Sequence, residues 1–165
     1  MGRVGSSPIC GREVAAVLDI RFSRALKLML MLAIADEHDS TALSSAQLAG
    51  KLDANPSLVR KLLVPLVDAG LVVCAKGRAG GARLGRPADD ITLAEIYRCA
   101  VGDKPLWNCS PHGEQVCLVT EHASEYFAKL TAEAEEAVLA SLGDRTLADS
   151  VRELRSLSDK RAAMS

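Results

Sequence analysis

The segment 43–87 constrains the fold of this chain most strongly, because it carries two helix starts in close succession. Ser44 and Gln47 have the spacing of a capping box, which marks the start of one helix. Asn55 followed by Pro56 marks the start of the next, since Asn caps well and proline suits the first helical position. A connection of only about three residues between two short helices is typical of a helix-turn-helix.

A basic hairpin follows the second helix. The run 71–75 is strand-like, three glycines between residues 76 and 81 favour a turn, and residues 82–84 can return as a second strand before Pro87 ends it. A helix-turn-helix with such a hairpin predicts a winged helix, whose second helix enters the major groove while the hairpin lies along phosphates. We therefore expect a mostly α fold with a small β-hairpin.

The charge distribution favours a nucleic acid as the partner of this segment. Residues 21–86 hold ten Lys/Arg against five Asp/Glu, a net +5, whereas residues 87–165 hold eight against fourteen, a net −6. A basic half in a nearly neutral chain indicates a polyanion-binding head. Aromatic residues make up 3% of the chain, too few for a platform that stacks single strands. Double-stranded DNA is the expected partner, and a winged helix used only for protein contacts is the alternative.

The remaining pattern divides the chain into four parts. We expect an N-terminal extension over residues 1–19, the winged-helix domain over 20–101, a sensor-type loop over 102–118, and a dimerisation helix with a tail over 119–165. No apolar run approaches the roughly 20 residues of a membrane span, and no signal peptide is evident, so we expect a cytoplasmic protein without membrane contacts.

The long C-terminal helix has an apolar stripe at helical spacing. Such a helix needs a partner surface, and a second copy of the chain is the simplest one. The stripe predicted to dimerise consists of Tyr126, Phe127, Leu130, Ala134, Ala137 and Val138.

Several stretches together resemble the Rrf-two family of bacterial winged-helix transcriptional regulators. The resemblance rests chiefly on residues 55–63, on the glycine-rich wing 77–84 followed by Arg86-Pro87, and on residues 90–97. The tail residues 146–149 are similar to the cluster-free, YwnA-type branch. The resemblance implies a homodimer, formed by the long helix, that binds a palindromic site as a repressor. We further expect this regulator to respond to a redox or small-molecule signal.

The candidate DNA contacts come from both helix starts and from the wing. Arginine suits a guanine edge and lysine a phosphate, and the free N–H groups at a helix start attract phosphate. The candidates are Ser44, Ser45, Ser57, Arg60, Lys61, Arg78 and Arg83.

The cysteines allow two interpretations. Relatives that carry a [2Fe–2S] cluster have three closely spaced cysteines in the loop before the long helix and a fourth ligand, in some an acid on the first helix. Here Cys99 falls within a predicted helix, and Ser23 or Arg24 occupies the position of the acid. We therefore expect no cofactor and no metal, with Cys109 and Cys117 as thiol-sensing candidates. The alternative is an iron–sulfur or nitric-oxide sensor that uses Cys99, Cys109 and Cys117.

Nothing in the sequence indicates catalysis. The chain lacks a nucleotide-binding glycine loop, a nucleophile elbow and an HExxH motif. We expect no enzymatic activity and no catalytic residues.

Overall fold

The computed structural model describes residues 21–38, 42–75, 77, 80–102, 106 and 117–164. Within these ranges the chain is mostly helical, with one antiparallel two-stranded hairpin, which confirms the predicted fold class. The elements, in chain order, are α1 (Arg21–Glu37), α2 (Ser45–Leu52), α3 (Pro56–Asp68), β1 (Val72–Cys74), β2 (Ala82–Leu84), a 3-10 helix (Ala88–Asp90), α4 (Leu93–Val101), α5 (Leu118–Leu142) and α6 (Leu147–Ala163). The predicted N-terminal extension 1–19 lies outside the described residues, as do Arg78, Cys109 and most of the sensor-type loop.

Side-chain caps start most of these helices. The Ser44 hydroxyl accepts a hydrogen bond from the Gln47 amide at 3.2 Å, and the Asn55 carbonyl oxygen accepts one from the Leu58 amide at 2.7 Å. Thr92 caps α4 and forms a capping box with Glu95. Each cap satisfies an amide that the helix itself leaves unpaired, which is why the helix starts could be placed from the sequence.

The hydrophobic core forms around α1. Leu28, Met29 and Leu32 on this helix are at most 1% exposed. They pack with buried residues of the neighbouring elements, among them Leu48, Val59, Leu66, Leu71, Ile96 and Leu147. Because α1 is covered by α4, α6 and the hairpin, its apolar character on almost every side is explained by its central position.

The hairpin is joined to the start of α2 by a third short strand segment. Val72 pairs with Leu84 and Cys74 with Ala82 across the hairpin. Leu43 then pairs with Ala82 from the other side, through N–H···O bonds of 2.9 and 2.8 Å. The wing and the N-terminus of α2 are therefore held together by backbone hydrogen bonds.

The last helix packs its first two turns into the same core. Leu147 and Val151 of α6 are buried, and the Arg155 side chain forms an ion pair with Glu37 at the end of α1. The helix runs to Ala163, and no helix-breaking residue interrupts it. In the first turn, hydrogen bonds from the backbone N–H of Thr146 and from Arg152 lower the pKa of Asp149 to about 2.

Within the described ranges, none of the helices combines the length and the apolar character that crossing a membrane requires.

Candidate nucleic-acid interface

The outer face of α3 carries the polar residues that the sequence assigned to DNA. Val59, Leu63 and Leu66 anchor the opposite side of the helix in the core. Ser57, Arg60 and Lys61 are exposed. The Nε of Arg60 donates a hydrogen bond to the carbonyl oxygen of Pro56 at 3.2 Å, so this side chain lies along the first turn of its own helix. The arrangement presents hydrogen-bond donors at the N-terminal end of α3.

The two serines at the start of α2 have different environments. Ser44 is committed to the capping box, because its hydroxyl accepts from the Gln47 amide and its own N–H donates to Gln47 Oε1 at 2.8 Å. Ser45 occupies the first helical position and is half-buried. The positive end of the α2 dipole therefore lies beside the start of the wing, a setting that favours an anion such as a phosphate.

Two arginines on the hairpin are held differently. Arg83 is exposed and pairs across the hairpin with Val73. Arg86, just beyond β2, donates from Nη2 to Glu95 Oε1 at 2.8 Å. The hydrogen bond from the Thr92 backbone, followed by that from Arg86, keeps the pKa of Glu95 below its usual value. Arg86 thus fixes the base of the wing to α4, whereas Arg83 is available for an external contact.

A groove of about 470 Å³ separates α3 from the hairpin. Of the predicted DNA contacts described by the structure, Ser44, Ser45 and Arg60 line this groove together. Ser57, Lys61 and Arg83 are exposed outside its lining. The structure therefore brings the α2 start and the middle of α3 to one cleft beside the wing.

Sequence reasoning missed the apolar wall of this groove. Val64 is 57% exposed and Val67 is 37% exposed, and both line the groove with the Cys74 side chain opposite them on β1. Partial desolvation raises the pKa of the Cys74 thiol. Val64 could have been found from its spacing, because it stands four residues after Arg60 and so on the same face of the helix.

The predicted dimerisation stripe lies on a largely uncovered helix. On α5, Thr131 is buried, and Glu135 and Leu139 share a small cavity with residues of α4. Tyr126 is 63% exposed and Phe127 is 37% exposed, and their rings meet edge to face at 5.9 Å. Leu130, Ala134 and Val138 are half-buried and Ala137 is exposed. The centre of the stripe lies about a third of a turn away from the side of α5 that faces α4.

Comparison with known proteins identifies the family. The model of the Rrf2 family, described as "Iron-dependent Transcriptional regulator", matches residues 18–153. The chain belongs to the Rrf2 family. This is the Rrf-two family of winged-helix regulators that the sequence pattern resembles, and its function is regulation of transcription rather than enzymatic catalysis.

Individual relatives in the Rrf2 family share part or most of the chain. Protein aau3 of Rhizobium meliloti (strain 1021) is 42% identical over 61 residues, which cover 37% of this chain and 40% of that protein. NsrR of Bacillus subtilis is 26% identical over 125 residues, covering 76% of this chain and 84% of NsrR. The solved structure of CymR, the global cysteine regulator of B. subtilis, superposes with a TM-score of 0.56 at 24% identity. That superposition covers 81% of this chain and 94% of CymR, and shows a shared fold.

Two cysteines of the alternative cluster set, Cys99 and Cys117, are described by the structure and lie in different settings. Cys99 lies within α4 and packs against the core, where burial, followed by the nearby Glu95 carboxylate, raises the pKa of its thiol. Cys117 is exposed at the start of α5 and accepts a hydrogen bond from Thr120 Oγ1 at 3.6 Å. Among the residues that the structure describes, no three His, Cys, Asp or Glu side chains are grouped as metal ligands. Cys109 is outside the described residues.

The pKa of the Cys117 thiol is shifted in the opposite direction to those of the Cys74 and Cys99 thiols. Hydrogen bonds from the backbone and the hydroxyl of Thr120, together with one from the Val119 backbone, lower its pKa. A lowered pKa increases the thiolate fraction at neutral pH, and the thiolate is the form that reacts with oxidants. Of the two predicted thiol-sensing candidates, Cys117 therefore has a setting that favours reactivity.

Proposed function

We propose that this chain is a homodimeric repressor that binds a specific, palindromic site on double-stranded DNA. The observation that carries the proposal is the exposed polar face of α3 beside the α2 start and the wing. In a winged helix this face is the one that enters the major groove. Membership of the Rrf2 family supports the regulatory role.

In the proposed complex, Arg60 and the residues around it have separate tasks. Arg60 is on the groove-facing side of α3 and reads a base, because a guanidinium can donate two hydrogen bonds to guanine. Ser45 lies near the positive end of the α2 dipole and faces a phosphate. Ser57, Lys61, Arg78 and Arg83 contribute further backbone contacts. Ser44 acts indirectly, since its side chain holds the α2 cap.

The two copies pair through the stripe on α5. Tyr126 and Phe127 leave large apolar surfaces uncovered within the protomer, and the stripe continues through Leu130 and Ala137. Burying these side chains against the same stripe of a second copy would remove apolar area from water on both sides. A two-fold dimer then places two α3 helices for two half-sites of a palindrome.

The proposed signal is oxidation of Cys109 and Cys117. A peroxide can accept the two electrons. The thiolate of one cysteine attacks a peroxide oxygen, the O–O bond breaks and hydroxide or alkoxide leaves, and the cysteine becomes a sulfenic acid. The second thiol then displaces the sulfenic oxygen as water and forms the disulfide. Cys117 directly precedes α5, so a disulfide there constrains the N-terminal end of the proposed dimer helix. The spacing of the two DNA-reading helices changes as a result. A small molecule that acts on the same loop is the alternative signal.

A native cluster is not part of the proposal. The description of the Rrf2 family as iron-dependent makes iron sensing through Cys99, Cys109 and Cys117 the second candidate. Strictly anaerobic purification followed by iron and sulfide analysis separates the two. We expect substoichiometric iron, and stoichiometric iron that is lost in Cys109→Ala would replace thiol sensing by cluster sensing.

Transcription from the promoter that carries the bound site tests the repressor role. The protein should lower transcript yield in a purified system, and mild peroxide treatment should relieve this effect. The Cys109→Ser, Cys117→Ser double variant should repress equally with and without peroxide. Repression that peroxide leaves unchanged in the unmodified protein would eliminate the thiol signal, and activation of transcription would eliminate the repressor role.

A further inference from the structure

An exposed valine stands in the middle of the face proposed to read DNA. Val64 is 57% exposed and lies on the same side of α3 as Arg60. It lines the groove whose rim includes Ser44, Ser45 and Arg60. The polar residues Ser57 and Lys61 lie on the preceding turns. Burial of Val64 in the complex would bring an apolar side chain against the edge of a base pair.

The neighbouring arginine leaves this valine uncovered. Arg60 is bonded from Nε to the carbonyl oxygen of Pro56 at 3.2 Å. Its side chain therefore leans towards the N-terminus of α3, the direction in which helical side chains generally point. Val64 lies one turn further along the helix in the opposite direction. Both side chains can therefore reach into the same major groove of DNA without competing for the same space.

The major groove offers one common apolar group at base edges. Thymine carries a C5-methyl group, whereas the other groups displayed there are hydrogen-bond donors and acceptors. Four residues along a helix correspond to about 6 Å, which is close to two base-pair steps of about 3.4 Å. We infer that Val64 is a specificity-determining residue, which contacts the methyl group of a thymine about two base pairs from the base that Arg60 reads. This inference rests on the proposed DNA-binding function.

Replacing single thymines by deoxyuridine tests the contact, because this change removes the methyl group and leaves base pairing intact. The operator is first obtained by selecting bound duplexes from a randomised pool. Each thymine of the selected site is then replaced in turn, and affinity is measured by fluorescence anisotropy. The unmodified protein should lose about fourfold in affinity at one thymine of a half-site, the amount expected for exposing one buried methyl-sized group.

The variant Val64→Ala should be indifferent to that same replacement. Alanine favours the helix, so the variant is expected to fold. The matched control is Val119→Ala, which changes another exposed valine, 69% exposed, on α5 and should retain the full sensitivity to deoxyuridine. Circular dichroism checks that all three proteins are folded.

The outcomes separate the inference from the function on which it rests. Operator binding that no deoxyuridine replacement weakens would overturn the role of Val64 and leave the proposed function in place. A methyl effect of equal size in Val64→Ala would assign the contact to another residue and would also overturn it. Failure to select any duplex from the pool would instead reject sequence-specific DNA binding itself.

Discussion

The coupling of the wing to α2 should be sensitive to a single methyl group at Gly81. A Cβ atom added there would lie 2.7 Å from the carbonyl carbon and oxygen of Leu43 and 2.8 Å from the carbonyl carbon of Ala42. All three are backbone atoms, so no side-chain rotation relieves the clash. Separating the segments to an ordinary contact of about 3.5 Å requires a shift of about 0.8 Å.

Such a shift would disrupt the two hydrogen bonds that join Leu43 to Ala82. They are now 2.9 and 2.8 Å long, and lengthening by about 0.8 Å takes them past the usual hydrogen-bond range. At about 1 kcal/mol for each bond, Gly81→Ala should lower the free energy of unfolding by about 2 kcal/mol. This value agrees with the loss of about 1–3 kcal/mol that is typical of overpacking.

Urea denaturation measures this effect. With a denaturant slope of about 2 kcal/mol/M, the unfolding midpoint should fall by about 1 M. Gly50→Ala is the matched control, because a Cβ at this exposed position within α2 meets nothing within 4 Å. It should raise stability by about 0.5–1 kcal/mol through helix propensity. Equal midpoints for Gly81→Ala and the unmodified protein, at equal protein concentration, would show that the wing is not locked to α2.

Three further predictions address DNA reading, dimerisation and acid stability. Arg60→Ala should lose about 1–3 kcal/mol of binding free energy on the operator and much less on random DNA, whereas Arg83→Ala should weaken binding to both DNAs alike. Equal losses for both variants on both DNAs would refute the assignment of Arg60 to a base and Arg83 to the DNA backbone. Leu130→Asp should sediment as a monomer, because its charge would be desolvated in the α5 interface. The control Ala132→Asp, on the opposite, exposed side of the helix, should remain dimeric. A dimeric Leu130→Asp would place the interface elsewhere. The folded pKa of Asp149 is about 2, below the ordinary 3.8, so the stability that its carboxylate contributes is present above about pH 4 and is lost as the pH falls towards 2. The melting temperature of Asp149→Ala should therefore change less over this window than that of the unmodified protein. The same pH profile in both proteins would argue against the cap.

The helix starts were predictable because their determinants are local. Asn55 and Pro56 define the start of α3 within two residues, and the Thr92–Glu95 capping box does the same for α4. Gly102 ends α4 with a positive φ of 61°, a conformation that glycine adopts readily. Signals that act over three or four residues can be read from one sequence, so the winged-helix order of elements could be predicted as well.

The groove and the wing coupling were not predictable, because both depend on contacts between distant segments. Nothing near Leu43 in the sequence indicates that it pairs with Ala82. The spacing of Val64 places it on the same face of α3 as Arg60, but only the position of the hairpin shows that it lines a groove.

The stoichiometry and salt dependence of binding to the selected duplex test the central claim most directly. Analytical ultracentrifugation of the protein with this duplex should show two chains per DNA, on a site whose half-sites lie about one helical turn, or a multiple, apart. Affinity should fall steeply with salt, because each phosphate contact releases counterions. One chain per duplex would contradict a dimeric regulator. An affinity that is independent of salt concentration and of DNA sequence would contradict DNA recognition by α3 and the wing.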